Sequence, residues 1–383
     1  MDIKKLHFMG IGGSGMKGVA MLADQMGYVV TGCDLNDGSH SQKHLKNIDL
    51  LIISPAVLYQ NMKEPEFLQA KKKNIVMTWQ EFLGHVLLKH KKIIAIAGTH
   101  GKSTTTAMAA KLLIDSGFDP ICVLGAFVPE WGGNARFGKG EYAVIEADEF
   151  NDNFLNYHPE ISIITNIEFD HPDYFKNEDE VKESFKKFSS QSKTVIAKAK
   201  LKKFNLKIFG KHNQQNASFV YELGQKLGIS NEEIIKSIES FTGIGRRMEL
   251  IGKTKSGTLI YDDYAHHPTA IKVTLDGLRA KYPNKKILAV IEPHGYKRTK
   301  ALLPLYRNAF DSVDGVIIGP IFKARDAVDK SVTIEKIAQI SRHLDIQTVK
   351  KITNYKLQIS NYDIVVVMGA GNSNIWAQKL ISN

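Results

Sequence analysis

The sequence predicts an α/β protein built from three consecutive blocks, each with a sheet of parallel strands. Short apolar runs of strand length alternate with helix-length periodic segments along the whole chain, an order typical of βαβ units. Glycine-rich loops directly follow strands in the first and second blocks. The length of 383 residues, 43% of them apolar, is enough for two or three hydrophobic cores rather than one.

The first block begins with a strand, Leu6 to Met9, and a glycine loop. The loop reads G-I-G-G-S-G from Gly10 to Gly15, a helix pattern continues through Met26, and the next strand leads to Asp34. Glycines let the backbone approach a pyrophosphate, and the helix N-terminus favours its negative charge. Taken alone, this pattern indicates a dinucleotide site, so an NAD-dependent dehydrogenase is one hypothesis.

The second block begins with the most informative stretch of the chain, IIAIAGTHGKSTTT at residues 93–106. A buried strand runs into a loop with Gly98 and Gly101, and Lys102 follows at the start of a helix. The loop amides and the helix N-terminus favour bound phosphate, and Lys102 can reach the β and γ phosphates. The hydroxyl of Ser103 or Thr104 can bind Mg²⁺. The sequence therefore predicts a triphosphate site here.

Polar residues follow two further strands of this block, Tyr142 to Ala147 and Ile161 to Ile167. Ligand chemistry collects at the carboxyl ends of parallel strands, so Glu146 and His171 can both face the bound phosphates and hold a divalent ion. The alternatives are a surface acid and a loop histidine. In GKHNQQNA at 210–217, Asn213 and Asn216 can either bind a base edge or cap a helix.

The third block repeats the strand and helix order from Gly245 onward. Its strands lead into three polar or glycine-rich loops: DDYAHHP at 262–268, EPHGYKRT at 292–299 and GAG at 369–371. The three blocks predict domains at residues 1–90, 91–244 and 245–383.

Composition predicts a cytoplasmic protein that binds neither nucleic acid nor membrane. Apolar runs are shorter than a membrane span, and the N-terminus continues into a strand and a glycine loop rather than a signal peptide. The lysines behind the net charge of +11 are scattered in short runs, as on solvated faces. Cys33 and Cys122 are not in a CxxC pair, and we predict both as packing residues.

Together these motifs resemble the Mur ligases, ATP-dependent enzymes that add amino acids to the UDP-muramyl precursor of peptidoglycan. The motifs occur in the family's order over nearly the whole chain: GIGGSGM at 10–16, AGTHGKSTTT at 97–106, EADE at 146–149, TNIEFDH at 165–171, HNQQNA at 212–217, GRR at 245–247, DDYAHHPT at 262–269, PHGYKRT at 293–299 and GAG at 369–371. The resemblance implies a Rossmann-like N-terminal domain, a P-loop-type central ATPase domain and a Rossmann-like C-terminal domain. The central domain is shortened relative to the family.

The resemblance also implies a role for each motif. The first glycine loop takes the UDP part of the substrate rather than NAD, with Gly10, Gly12, Gly13, Ser14, Gly15, Met16 and Asp34. ATP is bound by Gly98, Thr99, His100, Gly101, Lys102, Ser103, Thr104, Asn166, Asn213, Asn216, Arg247 and Asp263. Mg²⁺ is held by Ser103, Thr104, Glu146 and His171. The muramyl group and the amino acid are bound by Tyr264, His266, His294 and Arg298. The catalytic group comprises Lys102, Glu146, His171, His266 and Arg298.

Within the family, the motifs favour the members that join L-alanine to UDP-N-acetylmuramate, acting as a monomer or weak homodimer. Gly295 stands where those members usually have an arginine, and IEFDHPD and AHHPTAI favour the relatives that recycle a whole peptide, L-alanyl-γ-D-glutamyl-meso-diaminopimelate. The recycling ligase is therefore one alternative. A nucleotide-binding relative that has lost catalysis is another, because of the shortened centre.

Overall fold

The computed structural model describes residues 3–35, 40–55, 57, 61, 63–324, 326–351 and 359–381. It confirms the α/β fold class, with three sheets in chain order. The strands are β1 (Lys5–Met9), β2 (Val29–Cys33), β3 (Leu50–Ile53), β4 (Val76–Thr78), β5 (Lys92–Ala97), β6 (Ile121–Val128), β7 (Gly133–Arg136), β8 (Tyr142–Glu146), β9 (Ile161–Ile164), β10 (Thr194–Ile196), β11 (Glu249–Lys253), β12 (Leu259–Asp263), β13 (Ile287–Ile291), β14 (Gly315–Ile318), β15 (Ile346–Thr348) and β16 (Ile364–Met368).

Helices connect most of these strands. The α-helices are Ser14–Gln25, Pro65–Lys72, Trp79–Phe82, Lys102–Asp115, Glu178–Ser190, Lys211–Lys226, Asn231–Ser240, Pro268–Lys281, Tyr296–Ala301, Ile334–Ser341 and Ser373–Ile381. A π-helical turn, Leu83–Leu87, extends one of them, and short 3₁₀ turns occupy Gln42–Leu45, Pro129–Trp131, Phe150–Asn156, Leu303–Asn308 and Ile359–Asn361.

The first sheet has the order β2-β1-β3-β4, and all its strands are parallel. β1 is an inner strand of this sheet. Its side chains from Leu6 to Met9 are all buried, and they are apolar except for the imidazole of His7. The carboxyl end of β1 leads directly into the glycine loop. The helix Ser14–Gln25 then returns along the sheet, so the predicted βαβ unit is present.

The second sheet has the order β10-β9-β5-β8-β6-β7, with only β7 antiparallel to its neighbour. β5 is central, and its residues 93–97 are buried, as the unbroken apolar run predicts. β9 is shorter than the predicted Ile161 to Ile167, because its strand ends at Ile164. The side chains of the next two residues, Thr165 and Asn166, bond to the backbone of His100 and so belong to the phosphate loop.

The third sheet has the order β11-β12-β16-β13-β14-β15, with only β11 antiparallel. Alternate residues of β13 pack into two separate cores: Ile287, Ala289 and Ile291 into one, and Leu288 and Val290 into the other. Both faces of this sheet are therefore covered by apolar side chains, as expected for a parallel sheet. The polar loops predicted after its strands are left at the carboxyl edge.

By contacts, the chain forms two compact units. One comprises residues 1–167, 182–199 and 219–238 and contains the first two sheets, and the other comprises residues 168–181, 200–218 and 239–383 and contains the third. Each sheet lies within one of the three predicted ranges, but the boundaries near residues 90 and 244 stay a prediction. Across the described residues, no helix has both the length and the apolar character needed to cross a membrane.

Candidate active site

The predicted phosphate loop lies between β5 and the helix Lys102–Asp115. Gly98 has φ +136° and Gly101, the N-cap residue, has φ +83°, backbone conformations that favour glycine. A side chain at Gly98 would collide with Thr165. Because Gly101 has no side chain to cap the helix, the first amides of the helix can receive an anion instead. Thr99, Ser103 and Thr104 are buried around this turn.

The ammonium of Lys102 lies in the loop and is paired with a carboxylate. Its Nζ lies 2.9 Å from Oε2 of Glu149 and donates to the carbonyl of Gly98 at 2.6 Å. Burial alone would lower the pKa of Lys102, but the charges of Glu149, Asp148 and Glu146 outweigh it and raise the pKa. Lys102 is therefore a fixed positive charge beside the N-terminus of its helix.

A hydroxyl and a carboxylate meet at the start of the same helix. Ser103 Oγ donates to Glu146 Oε1 at 3.0 Å, and the amide of Gly125 donates to the other carboxylate oxygen at 2.7 Å. Glu146 ends β8, which pairs with β5 in register with Ile96. Hydroxyl and carboxylate oxygens are of the kind that a hard cation such as Mg²⁺ prefers, and binding of Mg²⁺ at Ser103 and Glu146 stays a prediction.

Three asparagines were predicted to bind ATP, and all three bind backbone or one another. Asn166 accepts from the His100 amide at 3.0 Å and donates to the His100 carbonyl at 2.9 Å, so it holds the phosphate loop in shape. Asn213 donates to the Phe209 carbonyl, and Asn216 donates to Asn213. Their contact with a base stays a prediction, whereas their structural contacts are present.

The glycine loop of the first block is held by the end of β2. The carbonyl of Cys33 accepts from the amides of Gly10 and Ile11, and the carboxylate of Asp34 accepts from the amide of Gly12 at 3.0 Å. The helix that follows starts at Ser14 after Gly13, so its first amides also lack a side-chain cap. Gly15 packs against Trp79, and Met16 is buried. The loop has the form that the sequence predicts for a diphosphate site.

In the other compact unit, Arg298 binds an aspartate and a histidine. Its Nε donates to Asp170 Oδ1 at 2.8 Å, and one terminal nitrogen lies 3.1 Å from Nδ1 of His171. A guanidinium can only donate, so this ring nitrogen of His171 is the acceptor. Burial acts to raise the pKa of Asp170, but the charge of Arg298 outweighs it and holds the pKa far below its usual range.

Two further histidines of this unit lie beside that group. His266 donates from Nδ1 to the Tyr264 carbonyl at 2.9 Å, and its ring lies 5.4 Å from the ring of His294. Burial and then the positive charge of Arg298 hold the pKa of His266 well below its usual value, so its ring is neutral near pH 7. A neutral imidazole with a lone pair on Nε2 can accept a hydrogen bond from an amine.

Asp263 and Arg247, the remaining residues predicted to bind ATP in this unit, make contacts within the unit. Asp263 is buried and accepts from the amides of Met248 and Ala265, both at 2.8 Å. Arg247 lies over the ring of Tyr264, with 5.2 Å between its guanidinium carbon and the ring centre. Asp263 therefore shapes the turn that carries Tyr264 and His266. A role of Arg247 and Asp263 in ATP binding stays a prediction.

Sequence reasoning did not select Glu149 and Asp170, the acidic partners of Lys102 and Arg298. Both stand inside motifs that were recognised, EADE and TNIEFDH, but a carboxylate in a motif does not reveal which cation it faces.

The presence of glycine at position 295 has a physical reason. With φ +77° it occupies a conformation that other residues rarely adopt, so an arginine at this position would be strained.

Comparisons with known proteins bear on the whole chain. Three domains of one family match in order: "Mur ligase family, catalytic domain" at residues 5–91, "Mur ligase middle domain" at 96–200 and "Mur ligase, glutamate ligase domain" at 246–371. A curated relative from Clostridium acetobutylicum, named UDP-N-acetylmuramate–L-alanine ligase, is 33% identical over 442 residues, which cover 96% of this chain and 95% of the relative. This chain is a member of the Mur ligase family. The predicted family and its three-part architecture are confirmed.

Other Mur ligases match over similar lengths. A relative of the same name from Aquifex aeolicus is 31% identical over 447 residues, covering 99% of this chain and 97% of its own. Both aligned spans exceed the 383 residues of this chain, so these Mur ligases contain residues that this chain lacks. That difference agrees with a shortened chain, and the prediction that the central domain is the shortened part stays a prediction.

Two solved Mur ligase structures share the fold. The UDP-N-acetylmuramate-alanine ligase of Thermotoga maritima superposes with a TM-score of 0.79 at 24% identity, covering 99% of this chain and 98% of the other. A murein peptide ligase from Psychrobacter arcticus gives 0.69 at 22% identity, with the same coverage. At these identities the similarity shows the fold alone.

The dehydrogenase hypothesis rested on the first glycine loop only, and it does not explain membership in a ligase family.

Proposed function

We propose that this chain joins L-alanine to the carboxylate of UDP-N-acetylmuramate at the expense of ATP, in peptidoglycan biosynthesis. The observation that carries the ATP part is the phosphate loop, where Lys102 and the uncapped helix terminus stand beside the Ser103 and Glu146 pair. The curated relatives named UDP-N-acetylmuramate–L-alanine ligase, at 31–33% identity over nearly the whole chain, support the choice of substrates.

The first step makes the carboxylate reactive. A carboxylate oxygen attacks the γ-phosphorus of ATP, ADP leaves, and an acyl phosphate forms. Negative charge is carried by the phosphoryl oxygens in this step, and the fixed ammonium of Lys102 and the loop amides offset it. Ser103, Thr104 and Glu146 would hold Mg²⁺, which when bound supplies further positive charge to the phosphates.

The second step forms the amide. The neutral amine of L-alanine attacks the carbonyl carbon of the acyl phosphate, a proton leaves the nitrogen, and inorganic phosphate departs with the bridging oxygen. His266 is neutral near pH 7 and has a lone pair on Nε2, so it suits accepting a hydrogen bond from the attacking amine, and the departing phosphate takes the proton. Arg298 and His294 are assigned to the amino acid, and Tyr264 and His266 to the muramyl group. His171 is assigned to a second cation beside the acceptor carboxylate.

The substrates divide into a nucleotide part and an acceptor part. The loop from Gly10 to Met16 and Asp34 are assigned to the UDP moiety, because this loop offers amides and a helix terminus like those of the ATP loop. Arg247, Asp263, Asn166, Asn213 and Asn216 are assigned to ATP on the resemblance alone. We further infer that the protein acts in the cytoplasm as a monomer or weak homodimer.

A phosphate-release assay tests this proposal. The purified protein is incubated with ATP, Mg²⁺ and UDP-N-acetylmuramate, and each reaction receives one amino acid or the tripeptide L-alanyl-γ-D-glutamyl-meso-diaminopimelate. We expect release with L-alanine and little with the tripeptide. Release with the tripeptide alone would assign the chain to peptide recycling, the alternative that the IEFDHPD and AHHPTAI motifs favour. ATP binding without any release would indicate a member that has lost catalysis.

A further inference from the structure

Four metal-binding side chains converge in the first block, outside the site described above. They are His7 of β1, Cys33 at the end of β2, His44 in the 3₁₀ turn Gln42–Leu45, and Glu66 in the first turn of the helix Pro65–Lys72. We call this group the Cys33 cluster. Each residue offers one ligand atom, and the four atoms all lie within 4.8 Å of one another. The predicted packing role of Cys33 is therefore incomplete, because its thiol faces polar ligands.

Several separations in the cluster are close to those of ligands around one ion. Cys33 Sγ lies 3.3 Å from His7 Nε2 and 3.9 Å from Glu66 Oε2. Glu66 Oε1 lies 3.6 Å from His7 Nε2 and 3.2 Å from His44 Nδ1. A tetrahedral ion with bonds of about 2.0 to 2.3 Å separates its ligand atoms by roughly 3.3 to 3.8 Å. The four side chains thus need only small adjustments to surround a metal.

The hydrogen bonds of His7 fix which of its ring nitrogens faces the cluster. The hydroxyl of Thr31 donates to the Leu6 carbonyl at 3.0 Å, so it accepts from His7 Nδ1, 2.8 Å away. The proton of a neutral His7 is therefore on Nδ1, and the lone pair on Nε2 points at Cys33 and Glu66. Metal-bound histidines usually have this arrangement, with the second ring nitrogen donating to an outer acceptor.

The carboxylate of Glu66 is also held in place for a ligand role. Its side chain is fully buried, and Oε2 accepts from the amide of Ser41 at 2.7 Å. The carboxylate and the His7 lone pair both face the Cys33 thiol, whose single proton can be donated to only one of them at a time, so a cation in its place would serve both acceptors. The His7 and His44 rings stack with 4.6 Å between centres, which keeps the nitrogens on one side.

We propose that His7, Cys33, His44 and Glu66 bind one Zn²⁺ ion. Zinc takes sulfur, imidazole nitrogen and carboxylate oxygen together in a tetrahedral site, whereas Mg²⁺ prefers oxygen ligands only. With all four positions filled by protein, the ion has a structural role. His40, whose Nδ1 lies 3.2 Å from Cys33 Sγ, is an outer hydrogen-bond partner of the thiolate.

An ion bound by the Cys33 cluster would also stabilise the glycine loop, because Cys33 contacts that loop. Cys33 is the residue before Asp34, and the Cys33 carbonyl holds the amides of Gly10 and Ile11. An ion bound at Cys33 would join β1, β2 and the helix Pro65–Lys72 at the end where the loop begins. Metal removal should therefore loosen the first block while leaving the phosphate loop of the second sheet in place.

Metal content and spectroscopy of the intact protein test this proposal. The protein is purified, dialysed against metal-free buffer and titrated with ZnCl₂ or CoCl₂. We expect one Zn²⁺ per chain by mass spectrometry, a rise in the unfolding temperature with Zn²⁺, and a thiolate-to-cobalt charge-transfer band with Co²⁺. A protein that binds no Zn²⁺ in the titration and gives no such band with Co²⁺ would overturn the proposal.

Two variants and one matched control identify the ligands. Cys33→Ser and His44→Ala should each weaken Zn²⁺ binding by about 100-fold or more, and Cys33→Ser should abolish the charge-transfer band. Cys122→Ser removes the other buried thiol of the chain and should leave both measurements unchanged. His44 is partly exposed, at 31%, so its variant should fold even where that of Cys33 does not. Equal Zn²⁺ affinity in His44→Ala and the parent would contradict the assignment.

Discussion

The ammonium of Lys102 lies 2.9 Å from the carboxylate of Glu149, which is only 2% exposed. The pair stands at the start of the helix Lys102–Asp115, whose N-cap residue Gly101 has no side chain to cap it. The charge of Lys102 is already balanced by Glu149. A bound phosphate group must therefore either replace Glu149 as the partner of Lys102 or share the lysine with it. This relationship leads to predictions for both residues.

Lys102→Ala should abolish ligation and leave binding of the UDP substrate nearly intact. We expect the lysine to offset phosphate charge at the second sheet, whereas the loop proposed for UDP belongs to the first sheet. The lost contact to the transferring phosphoryl group should cost about 3 to 5 kcal/mol, or roughly 10² to 10⁴ in rate. Steady-state kinetics and calorimetric titration with UDP-N-acetylmuramate measure the two effects. A rate within a few-fold of the parent rate would show that Lys102 is not part of the ATP site.

Glu149→Gln should destabilise the free protein and increase the stabilisation that ATP provides. The variant leaves the buried ammonium of Lys102 without its charged partner, at a cost of about 2 kcal/mol, and the phosphates of ATP replace the missing charge. Thermal unfolding with and without saturating ATP measures the difference. The exposed Glu130→Gln, in the 3₁₀ turn Pro129–Trp131, is the matched control. If ATP raises the unfolding temperature equally in the parent and in Glu149→Gln, this would contradict the idea that ATP phosphate replaces Glu149 as the partner of Lys102.

Glu146→Gln should raise the Mg²⁺ concentration needed for half-maximal rate. The amide keeps the shape and can still bond to Ser103, but it lacks the charge that offsets dehydration of the ion. We expect an increase of about tenfold or more, corresponding to roughly 1.4 kcal/mol. A Mg²⁺ titration at fixed ATP measures it. If the titration curve of the variant overlays that of the parent, Glu146 has a structural role only.

Arg298→Lys should weaken L-alanine binding with little effect on ATP. The planar guanidinium can form two parallel bonds to a carboxylate, and lysine cannot, although lysine keeps the positive charge beside the buried Asp170. Arg298→Ala is less suitable because it would leave Asp170 unpaired in the interior. We expect the KM for L-alanine to rise about tenfold. An unchanged KM for L-alanine would show that Arg298 serves Asp170 and His171 alone.

Much of the fold could be predicted from the sequence because the signals were local. The strand and helix of the phosphate loop follow from an apolar run, two glycines and a lysine, and the structure places the helix start at Lys102 as expected. The end of β9 could not be found in this way. Ile167 continues the apolar pattern, but the side chains of Thr165 and Asn166 both donate to the His100 carbonyl of the loop, and the strand ends before them.

The contacts that were missed join residues distant in the chain. Lys102 and Glu149 are 47 residues apart, and Arg298 and Asp170 are 128 apart. The Cys33 cluster was missed for the same reason, since its four residues come from two strands, a turn and a helix, without the close spacing of a zinc motif. Sequence patterns report spacing along the chain, whereas these sites depend on how strands are ordered in a sheet.

The measurement that tests ligation through an acyl phosphate most directly follows one oxygen atom. UDP-N-acetylmuramate is labelled with ¹⁸O in its carboxylate and incubated with the protein, ATP, Mg²⁺ and L-alanine, and the released phosphate is analysed by mass spectrometry. If the carboxylate attacks the γ-phosphorus, one ¹⁸O atom moves to inorganic phosphate for every amide formed. Phosphate that contains no ¹⁸O while amide accumulates would contradict the acyl phosphate, and so would phosphate release without amide formation.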